Sequence, residues 1–152
     1  MKKMIFVCLL AVLTVCTYAS PPVPVDNKAL LSFQRDFPNR EPQSVYNTGE
    51  SVMVSFKEDE LSSCKVFYDL NGVLLNVIKY YGANKLSPFI RSSLDEKFPG
   101  KEITGITEFI SDEAHFYEIN LGNNKLRNNK IWYQIRCDEN GLVLSQKRWH
   151  KT

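Results

Sequence analysis

Two kinds of hydrophobic spacing run through the chain, and each is used twice. Ala29, Leu30, Phe33 and Phe37 recur three and four residues apart. That is one face of a helix, and it predicts a first helix over 27–37 that ends at Pro38-Asn39. Val52, Val54 and Phe56 then alternate with Ser51, Met53 and Ser55, and Cys64, Val66 and Tyr68 alternate with Lys65, Phe67 and Asp69. A period of two marks strands with one buried face. Strands over 44–47 and 73–80 complete a set of four, with Glu58-Asp59-Glu60 as a charged turn. Ile90, Leu94 and Phe98 lie four apart behind Ser87-Pro88, a cap and a proline at the first helical position, and predict a second helix ending at Pro99-Gly100. Strands follow at about 102–110, 114–121, 130–138 and 142–149.

The chain therefore reads as one unit written twice. Phe37-Pro38 returns as Phe98-Pro99, and Asp69-Leu70-Asn71-Gly72 returns as Asp138-Glu139-Asn140-Gly141. An offset of 61 matches Ala29 to Ile90, Phe33 to Leu94 and Val45 to Ile106. Gly72 and Gly141 differ by 69, so the second copy is eight residues longer, which fits the polar loop 122–129. The expected fold is α+β: two tandem α-β-β-β-β repeats, over 27–81 and 86–149, forming an eight-stranded antiparallel sheet with helices on one face.

The Asn-Gly pairs sort side chains onto faces. Read as two-residue type I′ turns, they place Glu139 opposite Leu142 and Cys137 opposite Leu144. The helix-facing set is then Ile131, Tyr133, Ile135, Cys137, Leu142 and Leu144, matched by Cys64, Val66, Tyr68, Val73, Leu75 and Val77. The other face carries Tyr46, Met53, Phe67, Leu74, Ile78, Tyr80, Phe109, Phe116, Trp132, Val143 and Trp149, mixed with Lys57, Lys65, Glu118, Gln134, Arg136 and Lys147. Extended exposed apolar surface marks binding sites, and Trp, Tyr and Arg dominate interface energies.

The first residues precede the fold. Lys2 and Lys3, an apolar run over 4–15 and Thr17-Tyr18-Ala19 form the pattern of a secretory signal peptide over 1–19, cleaved after Ala19. The run is too short for a comfortable membrane span. Cys16 follows Val15, not the small residue that a lipidation signal places there. Residues 20–26, with Pro21, Pro22 and Pro24, read as an extended leader ending at Asp26, a helix cap, and 27–152 as a single domain. The whole chain carries 19 basic and 17 acidic residues, and Lys2 and Lys3 supply the excess. A neutral mature chain gives no electrostatic reason to expect a nucleic-acid partner. Cys64 and Cys137 remain after cleavage, and an exported chain meets oxidising conditions. Their shared face permits a disulfide, provided their Cα atoms come within about 7 Å.

At this point the pattern resembles the PepSY-like proteins of the β-lactamase-inhibitor-protein-like (BLIP-like) fold, small exported proteins common in Bacteroidetes-type bacteria. The matching stretches are Phe33-Gln34-Arg35-Asp36-Phe37-Pro38-Asn39, Val52-Met53-Val54-Ser55-Phe56 and Tyr68-Asp69-Leu70-Asn71-Gly72. The second copy adds Leu94-Asp95-Glu96-Lys97-Phe98-Pro99-Gly100, Phe116-Tyr117-Glu118-Ile119 and Asp138-Glu139-Asn140-Gly141. Members often carry Trp where Tyr46 stands. The resemblance implies the same sheet-and-helix architecture and an envelope protein of protein-binding or inhibitor type, with no catalytic residues to carry over.

Catalytic chemistry finds little footing. His115 reads as a solvated turn residue and His150 as part of a tail. Asp69-x-Asn71-Gly72 lacks the glutamate that a calcium loop places six residues after its glycine, since Ile78 stands there. Ser62, Ser63, Ser92 and Ser93 have no nucleophile-elbow context. No catalytic residue, metal site or cofactor is expected. The expected function is an exported, non-enzymatic module that docks a protein or peptide of the cell envelope on the open sheet face, through Trp132, Phe67, Tyr46, Phe116, Arg136 and Trp149. Its compartment would be the periplasm or the extracellular space, and its state a monomer or a homodimer. The alternative is a small-molecule or lipid-binding envelope protein, which asks for a deep apolar cavity.

Overall fold

The computed structural model describes residues 27–123 and 131–150. The stretches expected to be signal and leader, and most of the expected polar loop, fall outside the described residues. The helices are α1 (Asn27–Asp36) and α2 (Pro88–Lys97). The strands are β1 (Ser44–Asn47), β2 (Ser51–Asp59), β3 (Ser62–Asp69), β4 (Leu74–Tyr81), β5 (Lys101–Ser111), β6 (His115–Asn123), β7 (Ile131–Asp138) and β8 (Val143–His150). They form one eight-stranded antiparallel meander in sequential order. A short 3-10 turn, Ala83–Lys85, precedes α2. Ser87 holds the cap position of α2, but its hydroxyl makes no capping bond. Pro88, which has no N–H to satisfy, starts that helix.

The period-two reading holds through the centre of the sheet. Val52, Val54, Phe56, Cys64, Val66, Tyr68 and Val77 are buried beneath Ala29 and Phe33 of α1. The rings of Phe33, Phe37 and Phe56 pack with centroids 5.1–5.6 Å apart, Phe33 stacked on Phe37 and edge-on to Phe56. In the second repeat Ile106, Ile119, Leu121, Ile135 and Cys137 are buried beneath Ile90 and Leu94 of α2. The 61-residue offset thus pairs core with core. Register places both clusters on the same side of the sheet, since Val77 stands opposite Ile110 and Tyr81 opposite Ile106. Fully burying one such side chain contributes about 1.5–3 kcal/mol.

The Asp-x-Asn-Gly turns differ from the type I′ reading. Of the turn residues only Gly72 (φ 84°) and Gly141 (φ 72°) have positive φ, and Asn71 and Asn140 do not. Gly72 N–H donates to the Asp69 carbonyl at 3.1 Å, and Asp69 N–H donates to the Val73 carbonyl at 2.9 Å. The loop therefore holds three residues, a type I turn closed by a left-handed glycine. Asp69 Oδ1 sets it, accepting from the N–H groups of Asn71 and Val73 at 2.8 Å each. Asp138 repeats this with Asn140 at 3.0 Å and Leu142 at 2.8 Å.

The extra residue slides each return strand, and a bulge beyond it restores the register. Tyr68 pairs with Leu74 but Phe67 with Asn76, and Cys137 pairs with Val143 but Arg136 with Ser145. Leu75 and Leu144 are the bulged residues. Val73, Leu75, Leu142 and Leu144, expected in the core, are exposed. Val143, expected on the open face, packs against the α2 cluster.

The shared face of Cys64 and Cys137 does not bring them together. Cys64, Lys79, Glu108, Tyr117 and Cys137 stand opposite one another in one cross-strand row. Four inter-strand steps put the end members about 19 Å apart, far beyond disulfide reach. Both thiols are free, and burial raises each to about 11.

Candidate functional site

Both helices cover one side of the sheet, so among the described residues the reverse side is bare. Register lays its side chains in rows. One row runs Tyr46, Met53, Phe67, Asn76, and the next runs Ser55, Lys65, Ile78, Phe109, Phe116. A third runs Ser63, Tyr80, Thr107, Glu118, Arg136. The centre is tightly built. Phe109 and Phe116 stack with centroids 4.9 Å apart. The Arg136 guanidinium lies 4.4 Å from the Phe116 centroid and bonds Glu118 Oε1 through Nη2 at 2.5 Å and Nε at 3.2 Å. Lys65 Nζ stands 5.4 Å from the Tyr80 ring centroid. A cation over an aromatic face contributes about 0.5–1 kcal/mol at an exposed site, and an exposed ion pair up to about 1 kcal/mol. These contacts pre-position an aromatic and basic patch at modest energy.

The sequence-named site residues split into three groups. Phe116 and Arg136 touch at the centre. Phe67 and Tyr46 share a row on the β1–β3 side, where Phe67 is half-buried and Tyr46 is 62% exposed. Trp132 lies at the far end of β7 over Gly122, where a Cβ would come within 2.8 Å of its ring, and its backbone pairs with Trp149. The Trp149 side chain lies outside the described residues. Phe67 and Trp132 are roughly 30 Å apart, from four strand spacings across and four pleat repeats along the sheet. A standard interface covers about 800 Å² per partner. Centred on one of these residues, it leaves the other outside.

A polar cluster on the helix side escaped the sequence reading. Glu108 faces the helices between Ile106 and Ile110, at the seam between the two apolar clusters. Its side chain is 12% exposed. It accepts from Tyr81 Oη at 3.0 Å and lies 2.8 Å from His115 Nε2, while His115 Nδ1 lies 3.3 Å from Glu139 Oε2. His115 is thus a partly buried bridge at the start of β6, not a solvated turn residue. Burial, then the charge of Glu108, raises Tyr117 to about 12 and raises Tyr81 as well. The parity of Ile106-x-Glu108-x-Ile110 was the available signal. Among the described residues no three of His, Cys, Asp and Glu converge as metal ligands.

No family model matches this sequence. No curated protein matches it. Solved structures do. A DUF2874 family protein from Bacteroides uniformis aligns with TM-score 0.65 at 11% identity, over 82% of this chain and 89% of that one. A BLIP-like protein from Bacteroides fragilis aligns with TM-score 0.66 at 13% identity, over 86% and 90%. A Bacteroides eggerthii protein provisionally described as periplasmic aligns with TM-score 0.64 at 12% identity, over 80% and 87%. The chain has the BLIP-like fold. At these identities the likeness extends to the fold alone. Among the described residues no helix is long and apolar enough to cross a membrane.

Proposed function

We propose that this chain is an exported, non-enzymatic binding module that docks a protein or peptide of the cell envelope on its bare sheet face, centred on Phe109, Phe116 and Arg136. The observation that carries this reading is the one-sidedness of the fold: both helix-covered clusters lie on one side, and a stacked aromatic pair capped by arginine lies on the other. Stacked rings held in place lose little freedom on binding, and arginine with aromatics supplies most interface anchors. Tyr46 and Phe67 extend the patch toward β1, and Trp132 lies beyond its rim. Export is supported by the leader pattern, by the PepSY-like resemblance and by the provisional periplasmic description of one structural neighbour.

Of the small-molecule or lipid-binding alternative, the lipid-binding half gains no support, because Phe33, Phe37, Phe56 and Tyr68 pack together beneath α1, where a deep apolar cavity would be needed. The test is capture from an envelope extract by the immobilised wild type, by Phe109→Ser with Phe116→Ser, and by Arg136→Glu. Specific captured proteins should drop out with both variants. Identical recoveries would remove this face from consideration.

A further inference from the structure

Strands β2–β4 end before β5 and β6 do. The last β4–β5 pair is Tyr81 with Ile106, while β5–β6 pairing runs on to Lys101 with Asn123. The step leaves a surface depression of about 550 Å³, lined by Lys57, Ser63, Tyr80, Gly105, Thr107 and Asn120 among others. That volume lies in the range of small-ligand sites. Two backbone features sit at its centre. A bulge inserts Thr104 between the pairs Ile103–Leu121 and Gly105–Asn120. Gly105 has no positive φ, and a Cβ there would meet nothing within 4 Å. Neither turn geometry nor crowding calls for glycine at this place, and in mid-strand it costs about 0.5–1 kcal/mol relative to alanine. Bulges and strand glycines recur where a ligand approaches the backbone.

The lining has a consistent chemistry. Lys57 and Glu60 bring one charge of each sign, and the remaining polar groups are hydroxyls and an amide. Thr104 Oγ1 donates to the Asn120 carbonyl at 3.1 Å, but the side chains of Ser63, Thr107 and Asn120 make no hydrogen bond among the described residues. Ser62, 5% exposed, also lines the depression. Its Oγ lies near enough to Asp59 to help hold that carboxylate charged, yet it makes no hydrogen bond of proper geometry. Tyr80 adds a ring at the wall. Uncommitted neutral donors and acceptors beside the Tyr80 ring, which Lys65 Nζ approaches at 5.4 Å from the centroid, suit a neutral polyhydroxyl ligand, whose hydroxyls bond in-plane and whose C–H face lies on the side of the ring that Lys65 leaves open.

We infer that this depression is a binding site for a neutral saccharide, adjoining the protein-docking patch around Phe116 on the same face of the sheet and sharing Tyr80 with it. The test is isothermal titration of the full mature chain with neutral oligosaccharides of glucose, mannose, galactose and N-acetylhexosamine, chosen after a glycan array of the same sugars. Wild type should bind at least one of them. Gly105→Leu fills the depression and should weaken binding at least tenfold with no loss in unfolding midpoint. Asn120→Ala with Thr107→Val should weaken it similarly, which keeps the test open if Gly105→Leu misfolds. Phe116→Ser should leave sugar binding unchanged while abolishing protein capture. Absence of binding to every sugar, or unchanged affinity in Gly105→Leu and in the double variant, would overturn the inference.

Discussion

Replacing Gly72 by alanine should cost more than replacing either Gly141 or Gly49, and the order tests how the turns seat the helices. All three glycines have positive φ, at 84°, 72° and 90°. Each alanine variant therefore incurs a left-handed backbone penalty of about 1–2 kcal/mol. The surroundings differ. A Cβ at Gly49 meets nothing within 4 Å. At Gly141 it meets Ser93 Cβ at 3.3 Å and the Ile90 Cα at 3.4 Å, which a small shift of α2 relieves. At Gly72 it meets Ser32 Oγ at 2.7 Å and the Lys28 carbonyl oxygen at 3.0 Å. Ser32 can rotate, but the carbonyl belongs to α1, so the helix must move off the sheet. Overpacking of this kind costs about 1–3 kcal/mol more. The expected losses are about 1 kcal/mol for Gly49→Ala, about 1–2 for Gly141→Ala and about 3 for Gly72→Ala. Urea unfolding followed by circular dichroism reads these differences at constant m. For a domain of this size 1 kcal/mol shifts the melting temperature by roughly 3–6 °C. Ser32→Ala added to Gly72→Ala should recover part of the loss. Equal losses at the three positions would show that the seat against α1 contributes nothing.

Other outcomes follow from the buried groups. Phe33→Ala, at the centre of the first cluster, should destabilise by about 3–5 kcal/mol in the same unfolding assay. Cys64 and Cys137 should resist a thiol reagent until the chain unfolds, and reduction should leave gel mobility unchanged. Because burial raises both thiols from 9.0 to about 11, the unfolded chain loses these protons first. Their contribution to stability is complete below pH 9 and is lost as pH rises toward 11, which an alkaline series of urea midpoints should show. Lys85→Ala should move the Asp59 carboxyl upward from about 2 toward its ordinary 3.8, since the Lys85 bond is the main force holding it down and the Leu61 N–H the next. A carbon-detected NMR titration reads that change.

Much of the fold was legible because alternation and helical spacing report burial directly. Phe33 with Leu94, and Val54 with Ile119, lie where their periodicity placed them. The turn type was not legible from Asn-Gly, because the deciding group is the carboxylate of Asp69 two residues earlier, which holds the three-residue loop. The three-residue loop and the bulge behind it put Leu75 and Leu144 on the surface and Val143 on the core side. Parity identifies a face but not a position across it. It put Cys64 and Cys137 on the correct side and could not count the strands between them. In the same way it placed Phe67, Phe116 and Trp132 on one face, although Phe116 alone of these meets Arg136. Glu108 was overlooked because a carboxylate among strand apolar residues reads as surface, yet Tyr81 and His115 satisfy it inside.

The most direct test of the docking claim is photo-crosslinking in intact cells. A photoreactive phenylalanine analogue replaces Phe109 on the bare face in one variant, and Phe89 on the outer side of α2 in another. Phe89 is 66% exposed, so its greater accessibility favours nonspecific adducts. Docking on this face should give discrete adducts of one envelope protein from position 109, lost on adding Arg136→Glu, and none of that protein from position 89. No discrete adduct from position 109, or the same adducts from position 89 as from position 109, would contradict it.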